Sequence, residues 1–388
     1  MSRFLYKASR CPLIWSSSSL LLRTSSSPSA PRTSSYLFTT ATAIQRPHLT
    51  ASKPLAVPSR ASNPKMTVTQ HIEVADAPAL DPTLPIKALF FDLDDTLLLN
   101  PTIINLDSAL KDHGAEPYPS NQHAMIAGLT AEGMVEAIHK WAPHATYDQL
   151  MEAYARWRTE RMGECVIREG VKDLITRLAN AQTVIQTTEV KKPAPSRTVS
   201  NRDITTPHST LNNLNKVDIA IVTNSALERA AAKLKPYPEL TSVFSSPDQL
   251  VTTSHELAKS RNVKSKPHPD LYNLALDIVN KARKARGAME LLPSECLVFE
   301  DSIVGIKAAR AAGMRVIWNP VDNVKKFCEK LVNGDPDCTV GLDKHDFGHH
   351  VEDHKKWWNG QDPWVEVVQT FENFDLKKYG IEVISAEK

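Results

Sequence analysis

No aspartate or glutamate occurs in the first 72 residues of this 388-residue chain, although nine lysines and arginines do. The formal charge of +2 therefore averages two unlike regions. Beyond residue 72, the remaining 37 basic residues face all 44 acidic ones, a balance of about −7. A body of that sign argues against nucleic acid or an anionic membrane surface as the main partner. Apolar runs of 18 residues are absent too, so no membrane span is expected. Cysteine is scarce: Cys11, Cys165, Cys296, Cys328 and Cys338 are widely spaced, odd in number and form no C-x-x-C pair. That speaks against a disulfide framework or a zinc ribbon and fits free thiols in a reducing compartment.

What the acid-free stretch does hold is serine, threonine, arginine and proline, the composition of a mitochondrial transit peptide. A secretory signal needs an unbroken apolar centre, but residues 11–22 are split by the serines at 16–19. A solvated tail would share the composition. Residues 1–72 are thus expected to be a disordered leader directing mitochondrial import, and a start at Met66 would give a cytoplasmic form.

The folded part is expected from about Pro85. Residues 86–92 (IKALFFD) form an apolar run of strand length, and similar runs recur at 217–223 (VDIAIVT), 250–254 (LVTTS), 296–300 (CLVFE) and 315–319 (RVIWN). Continuous apolar strands separated by helical stretches predict an α/β fold, a parallel sheet with helices on both faces. Ligands of such sheets sit at the carboxyl ends of the strands, where Asp92, Thr223 and Glu300 fall. Residues 102–180 read as helical: Leu150, Tyr154 and Trp157 repeat at helical spacing, as do Val171, Leu174, Ile175 and Leu178. A crossover needs one helix, so the excess predicts a small helical domain above the strand ends, its last helix returning to a core of residues 85–101 and 217–332. Residues 182–216, polar and without a period, read as a disordered surface insertion. A C-terminal extension, 333–388, contains His345, His349, His350 and His354. Their spacing would suit a metal on a helix, but Gly348 and its polar surroundings favour a loop.

Asp92-Leu93-Asp94-Asp95-Thr96 follows the first strand directly. Two carboxylates two residues apart at a strand end can divide labour, one attacking phosphorus and the other moving protons. Such crowding of negative charge calls for a divalent cation. An acidic turn that caps a helix is the plainer alternative. Thr223-Asn224-Ser225 offers hydroxyls and N–H groups to a phosphate, or an ordinary N-cap. Lys266-Pro267-His268-Pro269-Asp270 holds a lysine in a stiff loop, where it could balance charge during phosphoryl transfer or simply be solvated. Glu300-Asp301-Ser302 could complete a metal's oxygen shell or cap the small-residue helix that follows.

Taken in order, these four segments resemble the motifs of the haloacid dehalogenase superfamily: DxDx[TV], [ST]N, a lysine and an acidic pair. The resemblance covers nearly all of residues 86–320. It extends to KPHPDLY, VFEDSIVGIKAARAAGM and FENFDLKKYGI, which look like small pseudouridine-5′-phosphatase-type and glycerol-phosphatase-type enzymes and β-phosphoglucomutases. It implies a Rossmann-like core with an inserted cap. By the same resemblance Asp92 is the nucleophile that becomes an aspartyl phosphate. Asp94 is the general acid/base and gives its backbone carbonyl to Mg²⁺, with Asp301 and Glu300 completing the metal site. Thr223, Asn224 and Lys266 would hold the phosphoryl group, and Thr96 would support the first loop. Asp95 departs from the pattern, standing where many relatives have glycine. The expected activity is Mg²⁺-dependent hydrolysis of a small phosphate ester of a sugar, polyol or nucleoside by a monomeric enzyme. Asp94 argues against a dehalogenase; a phosphomutase and a silent binding protein on the same fold remain as alternatives. Substrate choice rests with the helical domain, where Trp141, His144 and Arg158 are candidates.

Overall fold

Strand β1 (Ala88–Phe91) sends Ala88 and Phe90 to one face of a sheet and Leu89 and Phe91 to the other, and all four are fully buried. Only a strand covered on both sides reads this way. The computed structural model describes residues 84–179, 181–183, 215–342 and 344–383, without the side chains of residues 182, 183 and 344–349. The expected leader, residues 1–72, lies outside them, as does residue range 184–214 of the expected insertion.

Around β1 the sheet is completed by β5 (Asp218–Val222), β6 (Leu250–Val251), β7 (Cys296–Glu300), β8 (Arg315–Trp318) and β9 (Val365–Val367), in the order β6-β5-β1-β7-β8-β9. Every pairing in it is parallel. The five apolar runs all become strands of this sheet, an α/β fold of the Rossmann-like kind. The sixth strand, β9, was not anticipated. On one face pack α7 (Asp270–Ala285), α8 (Ile303–Ala311), α9 (Asp322–Val332) and α10 (Lys344–Trp358). On the other face lie α4 (Val171–Leu178) and α5 (Leu227–Leu234), with Phe371, Phe374 and Tyr379 from the C-terminal segment. Phe299 stacks on Phe91 at 4.6 Å and meets Phe374 edge-on at 5.2 Å, so the carboxyl-terminal segment seals that core.

Between the short strands β2 (Leu98–Leu99) and β3 (Val166–Ile167), which pair antiparallel, the chain makes α1 (Thr102–Asp112), α2 (Ala131–His139) and α3 (Tyr147–Glu160). These enclose a core of their own, with Leu106, Leu110, Val135, Ile138, Leu150 and Tyr154 buried. Sequence sets the start of α3: Thr146 Oγ1 accepts from the Gln149 N–H at 3.2 Å while Gln149 Oε1 accepts from the Thr146 N–H at 2.8 Å. This reciprocal cap satisfies two donors a helix end otherwise leaves free.

Two expectations are corrected. Gln182 and Thr183 do not open a loop but belong to β4 (Ala181–Thr183), which pairs antiparallel with β10 (Ile381–Val383). The histidine-rich stretch is not a loop either, since residues 344–358 form α10. His354 on it is fully buried, 5.2 Å from the Phe327 ring and 6.1 Å from that of Trp318. Burial pushes its pKa down to about 3, so it is a neutral core residue. Among the described residues no helix is long and apolar enough to cross a membrane.

Candidate active site

The carboxyl ends of β1, β5 and β7 converge, and the motif residues meet there. Asp92 follows β1, its N–H donating to the Phe299 carbonyl of β7 at 3.0 Å. Lys266 Nζ donates at 2.7 Å to each of Asp92 Oδ1, Glu300 Oε1 and the Val222 carbonyl. The lysine is only 4% exposed, so its charge is committed to the site and not to solvent. Burial works against its ammonium, but Asp92 and Glu300 outweigh it and hold the pKa above the ordinary value. Tyr272 OH donates to Glu300 Oε1 at 2.6 Å, and the ammonium lies 4.9 Å from the centre of its ring. Glu300 thus orients the lysine; its other oxygen accepts from Ser302 Oγ at 3.3 Å.

Asp92, Glu300 and Asp301 each offer a carboxylate oxygen, all within 4.8 Å of one another. Burial, with Glu300 and Asp94 beside it, pushes Asp92 up to about 7 against the pull of Lys266. Burial and its acidic neighbours push Asp301 well above the carboxylate range. Hard oxygen donors crowded beyond what one lysine neutralises are the donor set that suits a small divalent cation. Thr96 Oγ1 donates to Asp301 Oδ1 at 3.2 Å and braces this corner.

Asp94 lies on the wall of a cavity of about 820 Å³ that also borders Asp92, Asp301, Thr223 and Asn224. Its Oδ1 receives Lys233 Nζ and, at 2.7 Å, Asn100 Nδ2; its Oδ2 receives Ser225 Oγ at 2.5 Å. Burial opposes the carboxylate, yet Lys233 and Ser225 more than compensate and hold the pKa below the usual value. Asp95 has φ +63°, which explains why glycine suits that position.

The second motif borders the same cavity, and its side chains are engaged within the protein. Thr223 is buried with Oγ1 accepting from the Ser225 N–H at 3.1 Å, so it shapes its own turn at the cavity edge. The Asn224 amide is engaged: Oδ1 accepts from the Lys266 N–H at 2.9 Å, and Nδ2 donates to the Gly128 carbonyl at 3.0 Å. It ties the lysine loop to the helical insertion. Of the three cap candidates, Arg158 lines the cavity and Trp141 and His144 do not. Lys233, Tyr272, Asn100 and Arg229 were missed. Lys233 had a signal, because it falls in the buried stripe Ala230, Lys233, Leu234 of α5.

A parallel sheet whose strand ends gather a carboxylate cluster and two buried lysines beside a helical insertion defines a phosphatase-type hydrolase. The chain belongs to the haloacid dehalogenase-like hydrolases, whose family profile matches residues 86–313. It is 30% identical over 249 residues to the uncharacterized protein C4C5.01 of Schizosaccharomyces pombe, covering 63% of this chain and 85% of that one. It is 26% identical over 239 residues to the probable pseudouridine-5′-phosphatase YKL033W-A of Saccharomyces cerevisiae, covering 61% and 83%. Among solved structures, a HAD hydrolase of family IA, variant 3, from Entamoeba histolytica aligns at TM-score 0.45 and 16% identity, over 76% of this chain and 97% of that one.

Proposed function

We propose that this hydrolase is a Mg²⁺-dependent phosphomonoesterase acting on a small phosphometabolite (a sugar, polyol or nucleoside phosphate) through an aspartyl-phosphate intermediate. The observation that carries this reading is the shared cavity: Asp92 at its floor, held at 2.7 Å by Lys266, and Asp94 on its wall. Asp92 attacks phosphorus and the ester P–O bond breaks; Asp94, whose proton affinity rises when the anionic ester enters beside it, comes to the step protonated and gives that proton to the departing oxygen. Water then attacks the aspartyl phosphate, Asp94 takes its proton, and phosphate leaves with Asp92 restored. Lys266 neutralises charge on the transferring group, and Glu300 and Tyr272 keep the lysine aimed. Asp92, Asp301, Glu300 and the Asp94 carbonyl would hold Mg²⁺, which when bound screens the phosphate's charge from the nucleophile.

The test is phosphate release by the purified chain across a panel of phosphate esters. Release is expected with Mg²⁺, is lost in EDTA, and falls by several orders of magnitude in Asp92→Asn. A folded Asp92→Asn protein retaining a tenth of the activity would remove Asp92 from the role. No release from any ester would return the chain to the binding-protein alternative.

A further inference from the structure

The cavity has a basic side that the chemistry above does not use. Arg158 on α3 and Arg229 on α5 both line it. One comes from the helical insertion and the other from the sheet domain. Both are half-buried, and among the described residues neither forms an ion pair with a carboxylate. The neighbouring cations differ: Lys233 is neutralised by Asp94, and Arg161 rests 5.0 Å from the centre of the Trp157 ring with Glu164 at 4.0 Å. The guanidinium of Arg158 lies 5.0 Å from the centre of the Tyr154 ring, which fixes it on the cavity wall.

Position relative to Asp94 tells what these arginines face. Asp94 lines the same cavity as both, and Lys233, which pairs with Asp94, stands one helical turn from Arg229 on α5. Burial and then the proximity of Arg158 hold the Arg229 pKa below its ordinary value, as expected of two like charges drawn together in a partly desolvated space. Asp94 serves the departing oxygen, so a basic pair beside it borders the alcohol portion of the ester and not its phosphate. Guanidinium groups in such a setting gain most from a planar or tetrahedral oxyanion taken in two parallel hydrogen bonds.

We propose that the alcohol portion of the substrate carries a second anionic group, a carboxylate or a second phosphate, which Arg158 of the helical insertion and Arg229 of the sheet domain bind together. This rests on the phosphatase reading and narrows it. A neutral alcohol portion leaves two cations unpaired in a half-buried space, and sites with polar groups left unpaired reject such ligands strongly. The cavity volume of about 820 Å³ admits a small metabolite together with its charged tail.

The experiment measures kcat/KM of the full chain with Mg²⁺ on three kinds of ester. Phosphoglycolate and 3-phosphoglycerate carry a carboxylate, fructose 1,6-bisphosphate a second phosphate, and glycerol 3-phosphate and ribose 5-phosphate no second charge; p-nitrophenyl phosphate reports hydrolysis as such. At least one charged kind is expected to exceed the uncharged esters by about tenfold or more, as hydrogen bonds to charged groups allow. Which arm responds distinguishes carboxylate from phosphate. In Arg158→Gln and Arg229→Gln the ratio of charged to uncharged kcat/KM should collapse toward one, mainly through KM. Equal or better turnover of the uncharged esters, or a ratio unchanged in both variants, overturns the clamp while leaving the phosphatase reading intact. If p-nitrophenyl phosphate and every ester are untouched, the phosphatase reading itself falls and the clamp with it. Should a glutamine variant fail to fold, Arg158→Lys and Arg229→Lys keep the charge but lose the fork. Their ratio should fall by a smaller factor, and an unchanged ratio there overturns the proposal equally.

Discussion

Replacing Gly305 by alanine should destabilise the protein and disable the site, although the same change inside a helix ordinarily stabilises. Gly305 lies in α8, its N–H donating to Ser302 Oγ at 3.1 Å. An added Cβ would overlap the carboxylate of Glu300, far inside the separation real atoms tolerate. Alanine in place of glycine gains about 1 kcal/mol of helix propensity. Against that, overpacking a tight interior costs about 1–3 kcal/mol. Moving the carboxylate also weakens its bonds from Lys266 and Tyr272, each of the charged kind worth about 1.5–3 kcal/mol. The net expectation is a loss of about 2–4 kcal/mol. For a domain of this size that lowers Tm by roughly 5–15 °C. Because Lys266 loses one of its carboxylate anchors, turnover should drop by about a hundredfold, as small misplacements of catalytic groups do. Gly133 in α2 supplies the control: a Cβ there meets only ordinary contacts, Leu129 at 3.5 Å and Thr130 at 3.6 Å. Gly133→Ala should therefore gain up to about 1 kcal/mol with activity unchanged. Thermal melts and phosphate release on the two variants decide the matter. A Gly305→Ala protein as stable and active as its parent would show that Glu300 is not held as described.

Lys233→Met should raise the pKa of Asp94, because the lysine that keeps the carboxylate ionised is gone; the proton is then retained to higher pH, so the alkaline limb of the rate profile should move upward, and a downward shift would contradict the pairing. His354 binds its proton less readily folded, at about 3, than unfolded, near 6.5. Its stabilisation is complete above the unfolded value and lost as pH falls below it, about 2 kcal/mol by pH 5, so urea melts of His354→Leu should show a flatter pH dependence between 7 and 5 than the parent. Residues 1–70 fused to a fluorescent protein should enter mitochondria and be shortened, whereas a start at Met66 should leave the enzyme in the cytoplasm; a uniform distribution at full length would reject the transit reading.

The sheet was readable because a parallel strand buried on both faces needs an uninterrupted apolar run, and five such runs stand out from helical surroundings. Strand β9 escaped for a corresponding reason. Val365, Glu366 and Val367 alternate, as befits a strand at the end of the sheet, with Glu366 accepting from Tyr379 OH at 2.7 Å. Three alternating residues carry almost no periodic signal. Helix α10 escaped because Gly348 and four histidines look polar, and hydropathy counts histidine as charged or wet. A neutral imidazole walled by Phe327 and Trp318 behaves as an aromatic filler, and only the packing shows which state it takes.

The site divides along the same line. Asp92, Thr223, Glu300 and Asp301 could be found because strand termini in a parallel sheet all open on one edge, so position in sequence fixes position in space. Lys266 was found by its loop and its company. Residues that act from helices obey no such rule. Arg158, Arg229 and Lys233 reach the cavity, and Tyr272 reaches Glu300, because of which face each helix buries, and an arginine or lysine on a helix reads as solvated until its neighbours are known. Asn224 was recognised as well, but not the task of its side-chain amide, which ties Lys266 to Gly128 at the edge of the cavity. Strand ends thus bring the reacting groups together, while helix faces supply the charges that tune Asp94, aim Lys266 and border the alcohol portion. The chemistry common to such enzymes is accordingly written in short contiguous motifs. On the basic pair proposed above, selectivity would rest on Arg158 in α3 and Arg229 in α5, away from the strand ends that gather the reacting groups.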